Sequence, residues 1–301
     1  MEKSIVFLTD DFGEELALET AEAGAKKIYL HANPFKTSVK EFIDFKIKNE
    51  KTIDKLESGG VAVGYQLHAV SYLLPRELFK TDPEYFLSDK NGEKSDKFNC
   101  CPSNDEALEI IEKNAEKLAL LLKQKTNRYH LWVDDDLGAD VRCMCEKCKN
   151  LSAFKQNAII CEAIIGGLKK YDKTAENALL LYGEEHDFCG APKNAFSEFA
   201  PFKREHAIPI TQGEKNAFFV DKLKKTLSFY GAEKVSVLEY FLSYDFLSFL
   251  RGNGALRVEK DVEFYKSAGV TDLTTFAVFA GASTDEKLRG IKKYFNILDN
   301  Y

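Results

Sequence analysis

Residues 129–138 read YHLWVDDDLG and contain the pattern that decides the fold. The run from Tyr129 to Val133 is rich in aromatic and apolar side chains, as in a strand, and period-two alternation puts Trp132 and Asp134 on one face. Three consecutive aspartates and a glycine then end the run. Upstream, residues 106–118 carry apolar side chains three or four positions apart, as on one face of an amphipathic helix. The stretch therefore predicts a helix, a buried strand and a polar loop.

The same alternation of strand-like and helix-like segments recurs along the whole chain. Because repeated βα units build a parallel sheet, and eight units in 301 residues fit a closed barrel, the sequence predicts an α/β fold, a single (β/α)8 TIM barrel with its active face at the carboxyl ends of the strands. An open doubly wound sheet is the alternative, but residues 10–15 after the first run are acidic and lack the glycine-rich turn of a dinucleotide site. The predicted strands are Ile5–Thr9, Lys27–His31, Val61–His68, Tyr129–Asp134, Ala178–Tyr182, His206–Thr211, Lys234–Tyr240 and Leu273–Phe279.

Composition limits the classes of partner. The chain is 45% hydrophobic and 30% charged, which is typical of a folded globular protein, and no linker or low-complexity tract divides it, so we expect residues 1–301 to form one domain. A net charge of -6 disfavours a nucleic-acid partner. No apolar run approaches the roughly 20 residues of a membrane span, and no signal-like segment follows Met1. We therefore expect a cytoplasmic protein with no membrane partner.

Carboxylates follow several predicted strands. Asp134, Asp135 and Asp136 follow the fourth, Glu184 follows the fifth, and Glu239 lies near the end of the seventh. Adjacent carboxylates repel one another, so at least one is expected to be hard to ionise, as a general acid requires. Such acids suit glycosidic cleavage, either by a carboxylate pair or by a substrate-assisted route in which one acid orients an acetamido group. The structural alternative is that they cap helices or form a solvated face.

Three cysteines lie within six residues after the fourth strand. Cys143, Cys145 and Cys148 form a C-x-C-x-x-C motif, and reduced thiols with this spacing are typical of metal ligands. A tetrahedral zinc site needs a fourth ligand, for which Cys101, or its neighbour Cys100, is the candidate in the loop after the third strand. The sequence therefore predicts a structural zinc site joining two neighbouring loops. The alternative is a set of buried thiols without a metal.

Polar and aromatic side chains near the same strand ends suit a sugar ligand. His68 closes the third strand, where it can bind a sugar hydroxyl or satisfy a loop carbonyl. Aromatic rings stack on the apolar face of a pyranose, although they also pack barrel mouths. The rings expected near this face are Tyr72, Trp132, Tyr182, Tyr240 and Tyr244.

Several short motifs follow one another in a recognisable order. They are His68, LLP at 73–75, DPEYF at 82–86, CPSN at 101–104, the acids after the fourth strand, the C-x-C-x-x-C motif, and LEY at 238–240 followed by Asp245. From about His68 to Phe279 this order resembles an uncharacterised bacterial family of glycoside-hydrolase-like TIM barrels.

The resemblance implies a barrel related to α-glucuronidases and β-hexosaminidases. It implies that the fourth-strand acid and the Glu239–Tyr240 pair lie in the site, and it adds Asn104 and Asp245 to the expected substrate-binding residues. Members usually carry the barrel inside longer, often exported chains, and Phe241 stands where tryptophan is common. These differences leave open a barrel that binds sugar without cleaving it.

Three functions follow from these patterns. The leading hypothesis is a glycoside-hydrolase-like enzyme with a carbohydrate substrate, no organic cofactor, and its general acid among residues 134–136. The second is a non-catalytic carbohydrate-binding barrel. The third is a divalent-metal enzyme in which Asp134, Glu184, His186 and Glu239 hold Mg or Mn, because oxygen-rich sites prefer hard cations.

Overall fold

A closed barrel of eight parallel strands organises the protein. The computed structural model describes residues 1–33, 36–135, 142–182, 188–244, 246–252, 254–279 and 281–301. The barrel strands are β1 (Ser4–Leu8), β2 (Lys27–His31), β3 (Ala62–His68), β6 (Arg128–Trp132), β7 (Glu176–Leu181), β8 (Ala195–Phe199), β9 (Val235–Leu242) and β10 (Asp272–Ala277), while β4 (Leu87–Ser88) and β5 (Lys94–Ser95) form a separate antiparallel hairpin. The barrel strands pair in chain order, and β10 closes the barrel against β1. The predicted (β/α)8 barrel is confirmed.

Ten helices surround the barrel in the described ranges. Residue-level signals set several of their starts: Ser38 and Glu41 form a capping box, as do Ser283 and Glu286, and the Asn104 side chain caps a third helix. The described part of the segment between β7 and β8 contains no helix, which departs from strict βα alternation. The helices are α1 (Glu14–Glu22), α2 (Val39–Lys48), α3 (Glu50–Ser58), α4 (Val70–Leu73), α5 (Asp105–Leu122), α6 (Ala153–Tyr171), α7 (Glu214–Tyr230), α8 (Phe246–Arg251), α9 (Ala255–Ser267) and α10 (Thr284–Asp299).

The sixth barrel strand is not where the sequence pattern predicts it. Residues 206–211 form turns before α7, and β8 lies upstream at Ala195–Phe199. The apolar residues near 208 suggest a strand, but Pro209 has no N–H for a sheet ladder. The true strand reads AFSEF, and its buried Ser197 and Glu198 hide its apolar character. The other seven predicted strands overlap observed ones.

Side chains alternate between the barrel interior and an outer layer beneath the helices. The outer layer is the larger apolar core and includes Val237 and Leu131, whereas the interior cluster includes Trp132, Leu238 and Tyr240. Ionic groups fill the amino-terminal end of the interior, where Asp272 contacts Lys27, Arg128 and Ser236. The carboxyl-terminal end is therefore the end at which a cavity opens. Among the described residues, no helix is both long and apolar enough to cross a membrane.

Candidate functional site

A cavity of about 1040 Å³ opens at the carboxyl-terminal ends of the barrel strands. We call it the barrel-mouth cavity. It is walled by the last residues of several strands, by the loop after β2 and by the long segment after β3. Its lining combines a ring of aromatic side chains with a few polar groups, the composition of an organic-ligand site. The lining includes Tyr72, Phe98, Trp132, Tyr182, Phe202, Tyr240, Tyr244 and Phe276, with His31, Asn33, Lys40, His68, Ser71, Lys97, Asp134, Asp135 and Ser243.

Two histidines share the floor of this cavity. His68 was expected from the sequence, and His31, the last residue of β2, was not singled out. His31 Nδ1 lies 2.5 Å from the Ala32 carbonyl oxygen and His68 Nδ1 lies 2.7 Å from that of Val133, so Nδ1 carries the proton in both rings. Burial, with a smaller contribution from His68, lowers the pKa of His31 to about 3. His31 is therefore a neutral ring with Nε2 available as a hydrogen-bond acceptor.

A buried polar cluster lies in the barrel interior behind the cavity floor. Glu198 on β8 is 0% exposed and accepts hydrogen bonds from His130 Nδ1 at 2.7 Å, Trp132 Nε1 at 3.1 Å and Gln66 Nε2 at 3.1 Å. The cluster escaped prediction because β8 was misplaced. Its sequence signal is a lone glutamate within an apolar segment, which would have been informative once the strand was assigned.

Asp134 ties the cavity wall together. Its carboxylate accepts hydrogen bonds from Ser71 N at 3.1 Å, Ser71 Oγ at 2.5 Å and Asn99 N at 2.9 Å. The Asn99 side chain in turn bonds both backbone groups of Asp134, accepting at 2.7 Å and donating at 3.1 Å. Asn99 adopts a left-handed backbone with φ of 44°, which asparagine tolerates better than most residues. Asp134 therefore lines the cavity while anchoring two segments of the chain.

Unlike Asp134, Asp135 has a carboxylate that lines the cavity without being held by other side chains or by the backbone among the described residues. It is half-buried, and its carboxylate has no hydrogen bond or ion pair in the part of the chain that the structure describes. The negative charge of Asp135 acts on the hydroxyl of Tyr240, which lines the same cavity. Burial raises the pKa of Tyr240 well above its usual value, and the charges of Glu239, Glu198 and Asp135 act in the same direction. The Tyr240 hydroxyl consequently stays protonated.

Glu239 does not lie at the cavity, which corrects the sequence prediction. It is 0% exposed and faces the outer layer, where it pairs with Arg204 at 3.0 Å and accepts from the Tyr265 hydroxyl at 2.5 Å. Arg204 also pairs with Asp261 on α9 at 2.8 Å. The prediction correctly treated Glu239 as buried but assigned the wrong face of β9. Its neighbour Tyr240 faces the interior.

The remaining predicted residues divide into three groups. Tyr72, Trp132 and Tyr182 line the cavity together with Tyr240. Asn104 does not line it, because its side chain caps α5 by accepting from Ala107 N at 2.9 Å. The predictions for Asp136, Glu184, His186 and Asp245 lie outside the described residues.

The hypothesis of one Mg or Mn site shared by these acids does not fit the geometry. Asp134 binds backbone and hydroxyl donors inside the cavity wall, whereas Glu239 is directed to Arg204 in the outer layer. The Asp134 carboxylate lies at the cavity and the Glu239 carboxylate lies in the outer layer, so these two groups do not meet at one metal ion.

Four cysteines converge beside the cavity wall. The sulfur atoms of Cys101, Cys143, Cys145 and Cys148 all lie within 4.8 Å of one another, and those of Cys145 and Cys148 are 3.8 and 3.7 Å from Cys101. Cys100 points instead into the apolar core. The cluster is close enough to hold one metal ion, as the spacing predicted.

The surroundings favour the thiolate form of Cys143 in particular. Contact with Cys143 and burial raise the pKa of Cys101, and burial raises the pKa of Cys148 to about 11. Contact with Cys101 lowers the pKa of Cys143 to about 5, and the backbone N–H groups of Ser88 and Cys145 act in the same direction. The Ser103 hydroxyl lies 3.0 Å from Cys148 Sγ. The Gln156 side chain bonds the backbone of Cys143 on both its N–H and its carbonyl. Donors and a fixed backbone are what a thiolate ligand set requires.

Comparisons with known proteins agree with the barrel. The family described as Domain of unknown function (DUF4838) matches residues 19–165, and no curated protein is significantly similar in sequence. A GH5-4 broad specificity endoglucanase from an uncultured bacterium shares 12% identity, with 94% of this chain and 84% of that chain covered and a TM-score of 0.55.

Two further solved structures show the same likeness. The cellulose synthase subunit Z (CcsZ) of Clostridioides difficile shares 13% identity over 97% of this chain and 99% of that chain, with a TM-score of 0.52. A glycoside hydrolase 5 lichenase from Caldicellulosiruptor sp. F32, solved with cellotetraose, shares 10% identity over 94% and 84%, also with a TM-score of 0.52. At these identities the likeness concerns the fold alone, and it agrees with the closed barrel of eight parallel strands.

Proposed function

We propose that the protein binds a carbohydrate in the barrel-mouth cavity and cleaves a glycosidic bond with Asp135 as general acid and base. The observation that carries the proposal is an aromatic-lined cavity at the carboxyl ends of the strands, lined by both the open carboxylate of Asp135 and the ring of Tyr240. Carbohydrate is also the ligand of the structurally similar lichenase, which was solved with cellotetraose. Kinship with α-glucuronidases and β-hexosaminidases is part of the same proposal.

The chemistry divides between Asp135 and the substrate. Protonated Asp135 gives its proton to the glycosidic oxygen, which leaves with the bonding electron pair. Because Asp134 is committed to Ser71 and Asn99, we assign the second role to the substrate's own acetamido oxygen, which closes on the anomeric carbon. Water then opens that ring and returns its proton to Asp135. The reaction therefore needs no redox cofactor, and its atoms balance as hydrolysis.

The test compares leaving groups and sugars. We expect the wild type to hydrolyse aryl N-acetylglucosaminides faster than aryl glucosides, because only the former carry the acetamido group. Asp135→Asn should lose about 10²-fold or more with a poor leaving group and much less with dinitrophenol, which needs no proton. Asp221→Asn, an exposed change on α7, is the matched control. Equal losses with both leaving groups would contradict the role of Asp135.

A non-catalytic carbohydrate-binding barrel is the second candidate. The observation that favours it is that Asp134 and Glu239, two of the expected catalytic acids, are held by structural hydrogen bonds. This alternative predicts saturable sugar binding by calorimetry with no hydrolysis of any glycoside in a broad panel. That pair of results would replace the enzymatic proposal.

We further propose that the four-thiol cluster binds one structural zinc ion. Four thiolates at about 2.3 Å from a tetrahedral zinc lie about 3.8 Å apart, which agrees with the distances from Cys101 to Cys145 and Cys148. A closed set of four ligands leaves no position for substrate. The metal would join the segment after β3 to the loop after β6, and so fix the spacing of His68 and Asp134.

Metal analysis tests this role. Protein purified without chelator should contain about one zinc per chain. Cys145→Ser should lower zinc content, thermal stability and sugar binding together, whereas Cys189→Ser, at an exposed cysteine outside the cluster, should lower none of them. A zinc-free wild type purified from zinc-supplemented medium would refute the zinc proposal and leave the carbohydrate proposal intact.

A further inference from the structure

Glu198 is a charged group that the proposed chemistry does not use. It lies wholly buried in the barrel interior on β8, two strands from β6 and three from β3 in the closed sheet, and both of its oxygens are engaged. One oxygen accepts from His130 Nδ1 and Trp132 Nε1, and the other accepts from Gln66 Nε2. These three bonds cross the barrel interior from β8 to β6 and β3.

An apolar side chain could fill this position without the cost of burying a carboxylate. Burying an ionised group is expensive unless its partners compensate, and replacing a whole buried ionic network by well-packed apolar side chains is often no less stable. A carboxylate at this position therefore matters through the side chains that it holds in place. Of its three partners, Trp132 is the one that lines the barrel-mouth cavity.

Trp132 in turn lies against both histidines of the cavity floor. Its ring is 5.5 Å from that of His31 and 5.2 Å from that of His68, while the two imidazoles are 6.1 Å apart. Only 2% of Trp132 is exposed, so the indole serves as a support behind the histidines and is not itself a broad stacking surface. A rotated indole would move both rings.

We propose that Glu198 is a positioning residue that fixes the Trp132 indole and, through it, the spacing of His31 and His68 at the cavity floor. The ligand part of this inference rests on the proposed carbohydrate function. Each histidine has Nδ1 bonded to a backbone carbonyl, which leaves Nε2 as the ring nitrogen that can meet a ligand. Two ring nitrogens at a fixed spacing select a ligand with two hydroxyl groups on one edge, as a sugar ring has.

The experiment uses the fact that Trp132 is the only tryptophan of the chain. The full-length protein labelled with nitrogen-15 gives one indole N–H resonance, which reports the bond to Glu198 directly. In Glu198→Gln we expect this resonance to move upfield, because a neutral amide oxygen is a weaker acceptor than a carboxylate. In Glu198→Leu we expect faster exchange of the indole proton with solvent and about tenfold weaker binding of N-acetylglucosamine oligomers by calorimetry.

Asp272→Asn is the matched control, because Asp272 is a buried acid at the opposite end of the barrel interior. It should leave the indole resonance and the sugar affinity unchanged even if it lowers stability. Glu198→Gln should retain most of the affinity, since it preserves an acceptor, and this rescue separates positioning from general destabilisation.

The outcomes separate the two proposals. An indole resonance that is identical in wild type and Glu198→Gln would overturn the positioning role, whether or not Glu198→Leu folds. An altered resonance with unchanged sugar affinity would overturn the link from Trp132 to the histidines. Absence of sugar binding by the wild type would refute the proposed function, while the resonance would still decide whether Glu198 holds Trp132.

Discussion

Two glutamates on neighbouring strands, Glu198 on β8 and Glu239 on β9, are both completely buried but belong to different regions. Glu198 faces the barrel interior and binds side chains behind the cavity floor. Glu239 faces the outer layer, where Arg204 and Tyr265 satisfy it. In both cases a charge buried in a strand belongs to a polar network. The face of the strand on which the charge lies decides whether that network supports the site or the scaffold.

The largest expected effect is on stability, and it should separate the two glutamates. Glu239→Leu leaves buried Arg204 with one carboxylate in place of two, and removing one partner of a buried ion pair typically costs about 3–5 kcal/mol. Glu198→Leu leaves buried donors unpaired, which costs about 1–3 kcal/mol. Urea unfolding measures both. Equal losses of unfolding free energy in the two variants, or weaker sugar binding in Glu239→Leu than in Glu198→Leu, would contradict the assignment of Glu239 to the scaffold and Glu198 to the site.

A packing change in the interior should have an intermediate effect. A Cβ added at Gly64 on β3 would lie 2.7 Å from two carbons of the Tyr29 ring, which itself packs against His130 at 4.8 Å. We expect Gly64→Ala to lower the free energy of unfolding by about 1–3 kcal/mol through overpacking.

Gly13→Ala is the control for that change, because a Cβ there meets no atom within 4 Å. It should cost about 1 kcal/mol or less, the range for replacing a helix N-cap glycine. If thermal and urea unfolding showed a larger loss of stability in Gly13→Ala than in Gly64→Ala, the close packing of Gly64 against Tyr29 would be contradicted.

The pH dependence contributed by His31 is the smallest of these effects near neutral pH and develops only as the pH falls. Its pKa is about 3 in the folded protein and about 6.5 when unfolded, so between these values the unfolded chain binds one more proton. The contribution of neutral His31 to the free energy of unfolding is fully present above pH 6.5. It is lost as the pH falls, by at most about 1.4 kcal/mol per pH unit. His31→Asn should show a shallower fall between pH 7 and 5 in urea titrations. Parallel curves would contradict a neutral buried His31.

The fold was largely predictable because seven of the eight barrel strands are rich in apolar, aromatic and β-branched side chains. The exception, β8, has Ser197 and Glu198 among its five residues, and a polar pair in so short a run cancels the hydrophobic signal. The apolar residues around 208 then supplied a false strand. Local pattern could not resolve this, since barrel closure decides which segment becomes the sixth strand.

The site was predictable where it depends on strand ends. His68, Trp132 and Asp135 close or follow strands with strong patterns, and they do line the cavity. Asn104 and Glu239 could not be assigned correctly, because capping of α5 and pairing with Arg204 are tertiary contacts that the sequence around each residue does not encode. His31 escaped notice because it was assigned only as the end of β2.

If the four-thiol cluster binds a metal ion as proposed, the stability of the protein also depends on the concentration of that ion. The four sulfur atoms come from two loops, with Cys101 and Cys145 separated by 44 positions. An ion that binds only the folded arrangement adds free energy that grows with the logarithm of its concentration, about 2.7 kcal/mol at a hundredfold excess over its Kd. The wall that holds Asp134 through Asn99 would then loosen as free metal declines, before the barrel itself unfolds, and metal supply would set ligand affinity.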